Sequence, residues 1–210
     1  MKALQTFAQL PRPAADLFKA NEPCFQPVLA LGAWAHDTFL SAESPLVNID
    51  HAHLVDAYIG FVFAAGVENR RAGQRILGTA QLGQPSGTPW PRGRQEQQLR
   101  EWFGRIPDFL ITIDAAYFAE CSEAEACALV EHELYHCAQA VDRLGEPKFD
   151  NDGNPVWSMR GHDIEEFAGV IRRYGASATH AEEIRAAFAQ EPEISRVAIR
   201  AACGVCLRVA

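Results

Sequence analysis

The segment Ser122 to Cys137, SEAEACALVEHELYHC, leaves the chain the fewest folding options. Ser122 followed three residues later by Glu125 is the pattern of a capping box. In that motif the serine oxygen accepts from an orphan backbone N–H and the glutamate reaches back to the serine's own N–H. Gly145 stands where a helix stop is expected. The pattern predicts a helix of about five turns, with EHELYHC well inside it. Residues four apart on a helix project from one face, so His132 and His136 lie one above the other. Two imidazoles so placed can bind one zinc ion at roughly 2.0–2.1 Å. Glu133 sits to the side, within reach of a water held there, which is the H-E-x-x-H arrangement of two ligands and a general base.

A catalytic zinc takes three protein ligands, so a third is needed from elsewhere. The segment GHDIEEF offers His162, Asp163, Glu165 and Glu166. His162, at the entry to a second helix expected over 162–174, is the preferred ligand, with Glu165 or Glu166 as alternatives. Individually, Asp163, Glu165 and Glu166 also read as acidic residues favoured in the first turn of a helix.

The rest of the chain frames this site. Val28 to Leu40 has apolar residues at helical spacing. Ala57–Phe63, Gln74–Leu82 and Asp108–Ala115 read as strands, the last by its alternation. Gln84 to Arg94, QPSGTPWPRGR, reads as a loop, followed by a short helix over 95–103. Residues 1 to about 26 read as irregular, and 66–73 as a turn. The expectation is an α+β fold, a small mixed sheet packed with helices, in one domain spanning 1–210 with its core at about 28–175. A length of 210 residues suits one sizeable core.

Composition narrows the setting. The net charge of −8 gives no general pull toward nucleic acid or anionic membranes. No apolar run is long enough to span a bilayer, and the first residues lack the apolar core of a secretory signal. Six scattered cysteines fit a reduced, cytoplasmic protein better than a disulfide scaffold.

The stretches ALVEHELYHC and RGHDIEEFAGVIRRYG, with DFLITIDAAYF before them and LGTAQL earlier, resemble the phage metallopeptidases, relatives of the SprT-like zincins. The resemblance spans about residues 55 to 175. It implies a zincin-like fold, a phage or prophage setting, Zn2+ as cofactor and a peptide or protein substrate. It assigns His132, His136 and His162 as ligands and Glu133 as the base that deprotonates a zinc-activated water. It further implies that an exposed strand edge holds the substrate by backbone pairing, and the strand before the active-site helix, DFLITIDA, is the candidate. SprT-like proteins often carry an added module with two cysteine pairs. Here Cys203 and Cys206 form one pair, which reads as two small buried residues.

Two other classes compete: a DNA-associated or non-catalytic zincin-like protein, and a zinc hydrolase of a non-peptide bond. Other features have plainer readings. Tyr135 and Tyr174 are expected to pack. Cys121, Cys127 and Cys137 read as buried thiols, and Trp90 and Trp102 as core filling. Arg92, Arg94, Arg100 and Arg105 read as a solvated face. His36, His180 and the His51–His53 pair read as surface or satisfied histidines rather than ligands.

Overall fold

The computed structural model describes residues 9–19, 22–71, 73–163, 172 and 182–190. A mixed four-stranded sheet carries the architecture. Its strands are β1 (Cys24–Pro27), β2 (Ile59–Ala65), β5 (Gly78–Leu82) and β6 (Phe109–Asp114), in the order β1-β2-β6-β5. β2 and β6 run parallel, while β1 and β5 are antiparallel to their neighbours. β1 lies in the stretch expected to be irregular, and Pro27 is tolerated because the strand is at an edge.

The expected strand over 74–82 is broken at Leu77. Residues Gln74–Ile76 (β4) fold back on Asn69–Arg71 (β3) as a separate hairpin, and only Gly78–Leu82 joins the sheet. The buried Leu77 anchors the break.

Both faces of the sheet are covered. Phe109, Ile111 and Ile113 alternate along β6 and are fully buried, as their period-2 pattern predicts. They join Phe61 and Phe63 of β2 and meet Leu31 of α1 (Leu29–Ala35), Phe118 of α3 (Ala115–Glu120), and Leu129, Val130 and Leu134 of α4 (Glu123–His136). On the opposite face Val62 packs with Leu99 and Phe103 of α2 (Pro89–Phe103). The helix expected over 28–40 is present as α1 continued by one wide turn, His36–Leu40.

Three local corrections have clear causes. α2 starts at Pro89, inside the stretch expected to be a loop, because Pro89 and Pro91 occupy the first turn, where a missing N–H costs nothing. α3 was not foreseen; Asp114 ends β6 and caps α3, its Oδ1 accepting from the Tyr117 N–H at 3.0 Å. Asp114 also receives a two-pronged ion pair from Arg75.

The third correction bears on the site. α4 carries the expected capping box at Ser122 and Glu125 but stops at His136, so EHELYHC forms its final turns. Cys137 is already extended, and Cys137–Gln139 (β7) pairs antiparallel with Trp157–Met159 (β8). Gly145 therefore ends no helix. It lies at φ 86° in a turn where Asp142 accepts from the Leu144 and Glu146 N–H groups. A second Asp-x-x-Gly turn, Asp150 to Gly153, repeats the device. Trp157 anchors the hairpin to the sheet, its ring 5.3 Å from that of Phe109.

The expected helix over 162–174 and the alternative ligands Glu165 and Glu166 lie largely outside the described residues, as do Tyr174, His180, Cys203 and Cys206. Near the C-terminus one short helix is described, α5 (Glu182–Phe188).

Candidate metal centre

The end of α4 and the return of the β7–β8 hairpin build the site together. β8 hands the chain to Arg160, whose N–H donates to the His136 carbonyl at 2.9 Å. In return the His136 Nδ1–H donates to the Arg160 carbonyl at 2.7 Å. This reciprocal pair fixes the His136 tautomer and leaves Nε2 as the ring atom able to accept a metal, the kind of outer partner that metal sites use. Two residues later the chain delivers His162.

His132, His136 and His162 converge, with one ligand atom of each within 4.8 Å of the others. Ring centroids lie 4.7–5.1 Å apart. The Nε2 atoms of His132 and His162 face each other at 3.3 Å. Two nitrogens bound to one tetrahedral zinc at 2.0–2.1 Å would stand about 3.3 Å apart, so the His132–His162 pair matches an ion of that size, with His136 within 4.8 Å of both. Burial, reinforced by His136 and His162, lowers the His132 pKa to about 4. The ring is therefore neutral at pH 7, the form a metal ligand requires.

The three imidazoles open onto a cavity of ≈ 250 Å3 that also touches Tyr135, Arg160 and Asp163. Arg160 pairs with Asp163 and lies over the Tyr135 ring, 5.7 Å from its centroid. The larger cavities elsewhere are mostly apolar, and among the described residues no other trio of ligating groups comes together.

Glu133 lies on the sheet side of this cluster at 3% exposure. Burial pushes its carboxyl up to about 8, opposed by a hydrogen bond that it accepts from the Ala80 N–H of β5. Its Oε2 has no protein partner. A buried carboxylate oxygen with no partner needs a water or ligand to complete it.

The strand expected to offer its edge to a peptide, Phe109–Asp114, lies between β2 and β5 and has no free edge. The edge belongs to β5. In β5 the odd residues bond to β6, as the Leu77 carbonyl and Gly83 N–H at its two ends do. The backbone groups of Gly78, Ala80 and Leu82 therefore point outward. The sequence holds a faint trace of this in LGTAQL, whose small residues allow close approach.

Most other expected readings hold, though Cys127 is only partly buried. Tyr135 is committed elsewhere: its OH donates to Asp50 Oδ2 at 3.0 Å and accepts from Asn48 at 2.9 Å. His53 bonds the Cys137 carbonyl at 2.9 Å. Cys137 and Cys121 are buried thiols, and burial raises the pKa of both. Arg92 and Arg100 pair with Glu96, and Arg105 covers Tyr58. Trp102 packs partly buried beside Phe103. Trp90 does not fill the core; it is 87% exposed at the start of α2.

His51 was expected at the surface or satisfied, yet it is 1% exposed with neither ring nitrogen hydrogen-bonded. Burial first, then His53, lowers its pKa from 6.5 to about 4. The fold thus favours the neutral ring. The stability contributed is full above 6.5 and is lost as pH falls toward 4, to a limit of roughly 3 kcal/mol. Urea unfolding of the metal-free protein between pH 7.5 and 4.5 should show this loss, and His51→Leu should flatten the slope. An unchanged slope in the variant would refute the assignment.

Residues 32–190 match the family described as "putative phage metallopeptidase". The chain belongs to this phage metallopeptidase family. The family's description suggests a metal-dependent peptidase, and the three converging histidines could hold a metal ion. No curated protein and no solved structure matches. Among the described residues, no helix is long and apolar enough to cross a membrane.

Proposed function

We propose that the chain is a zinc-dependent peptidase of the zincin type, with His132, His136 and His162 as ligands and Glu133 as general base. The observation that carries this reading is the convergence of three imidazoles within 4.8 Å, next in sequence to a buried carboxylate whose Oε2 lacks a partner. Zinc bound there would supply Lewis acidity to a scissile carbonyl and acidify a water toward neutral pH.

The chain's own residues supply the rest. Arg160 holds His136 through its carbonyl, so the ring presents Nε2. Glu133 receives the proton of the attacking water and returns it to the leaving amine, with the Ala80 N–H orienting the carboxylate. The outward carbonyls and N–H groups of β5 pair with an extended peptide, the mode in which a strand edge receives a substrate.

The test uses the purified protein loaded with zinc and fluorescein-labelled casein as an unfolded substrate. The protein is expected to hold about one zinc per chain and to release labelled fragments. A chelator should stop the release and added zinc restore it. A zinc-loaded protein that leaves casein intact would refute the reading.

A further inference from the structure

The residue facing Glu133 across α4 and β5 is Gly78. A Cβ built there would stand 2.5 Å from Glu133 Oε1, 2.9 Å from Cδ and 3.0 Å from Cγ. Real Cβ atoms do not come so close, so one side must move. All three nearest atoms belong to the end of the Glu133 side chain, and none to the backbone of α4. The tightest constraint on the glycine therefore comes from that one side chain. Its conformation does not either, because its φ lies outside the left-handed region.

We propose that Gly78 is a positioning residue: its missing side chain is the seat that lets the Glu133 carboxylate stand against the edge of β5. The seat sets two things at once. It admits the carboxylate to the Ala80 N–H, two residues further along the same outward-facing row. It also removes the Ala80 N–H from the groups a substrate can use, leaving the Ala80 carbonyl and the outward groups of Gly78 and Leu82. A methyl group at position 78 would push the flexible end of Glu133 aside and leave the backbone and the histidines in place. The fold and the metal site are expected to survive a change that misplaces the base.

This inference rests on the peptidase reading for its kinetic arm and is independent of it for its structural arm. In the kinetic arm, zinc-loaded wild type and Gly78→Ala are compared on fluorescein-labelled casein. The variant should keep its zinc and a KM within about twofold, while kcat falls by about tenfold to a hundredfold, the scale of an ångström-sized misplacement of a reacting group. An unchanged kcat, or loss of zinc from the variant, would overturn the proposal.

In the structural arm, thermal unfolding is measured for wild type, Gly78→Ala, Glu133→Ala and the double variant. Glu133→Ala removes all three atoms that the new methyl meets. The effect of Gly78→Ala on Tm should therefore differ between the two backgrounds, the mark of coupled neighbours. The same shift in both backgrounds would overturn the proposal, including the case in which Gly78→Ala unfolds the protein in each. If wild type itself leaves casein intact, the peptidase reading fails while the unfolding cycle still decides the contact.

Discussion

Replacing His132 with alanine is expected to strip the protein of its metal and its activity together. His132 is the most constrained of the three imidazoles: half-buried on α4, kept neutral by burial, with its Nε2 3.3 Å from that of His162. Loss of an outer partner in a metal site costs 10–100-fold in affinity, so loss of a ligand should cost at least about 100-fold. Zinc content after dialysis, and competition against a chelator of known affinity, measure this directly. Unfolding gives a second readout. Saturating zinc at about 100 times Kd adds about 2.7 kcal/mol to wild type, and the variant should gain no more than about 0.4 kcal/mol at the same concentration. Full zinc occupancy in the variant would exclude His132 from the ligand set.

Glu133→Gln should separate binding from turnover. Glutamine keeps the shape of the side chain, and its oxygen can still accept from the Ala80 N–H. It cannot take a proton from water, so hydrolysis should fall by about 10²–10⁴-fold, the range assigned to a positioned acid–base group. The zinc content should not change. The fold should not suffer either, because the amide matches the carboxyl in size and offers an oxygen to the same N–H. Hydrolysis at the wild-type rate with zinc in place would remove Glu133 from the mechanism.

The legible parts of the molecule were those governed by neighbours in sequence. Ser122 and Glu125 meet within one helical turn, and the alternation of Phe109, Ile111 and Ile113 needs only the pleat of one strand, so both were evident from local pattern. The C-terminal end of α4 was not. Cys137 leaves the helix because Met159 lies opposite it, and nothing within a few residues of Cys137 encodes that partner. The strand order was hidden for the same reason. β6 reads as a strand by itself, but its interior place depends on β5 arriving from the far side of α2.

The site divides likewise. His132, Glu133 and His136 share one turn of helix and were visible as a unit. His162 was preferred over Glu165 and Glu166 from sequence alone, and its approach to His132 and His136 depends on the hairpin that ends at Arg160. Gly78 and Ala80 carry no chemical signature of their own. Their relation to Glu133 exists only in three dimensions.

The hairpin between β7 and β8 has an evolutionary corollary. The spacing of the imidazoles is set at its base, by Trp157 and by the two bonds between Arg160 and His136, and not by the residues at its tips. The exposed turns at Asp142–Gly145 and Asp150–Gly153 are therefore free to lengthen, shorten or host a grafted segment without altering the distance between the donor atoms. Variation among related chains should accumulate there first, and a reporter inserted at either turn would ride on the protein without disturbing the three histidines.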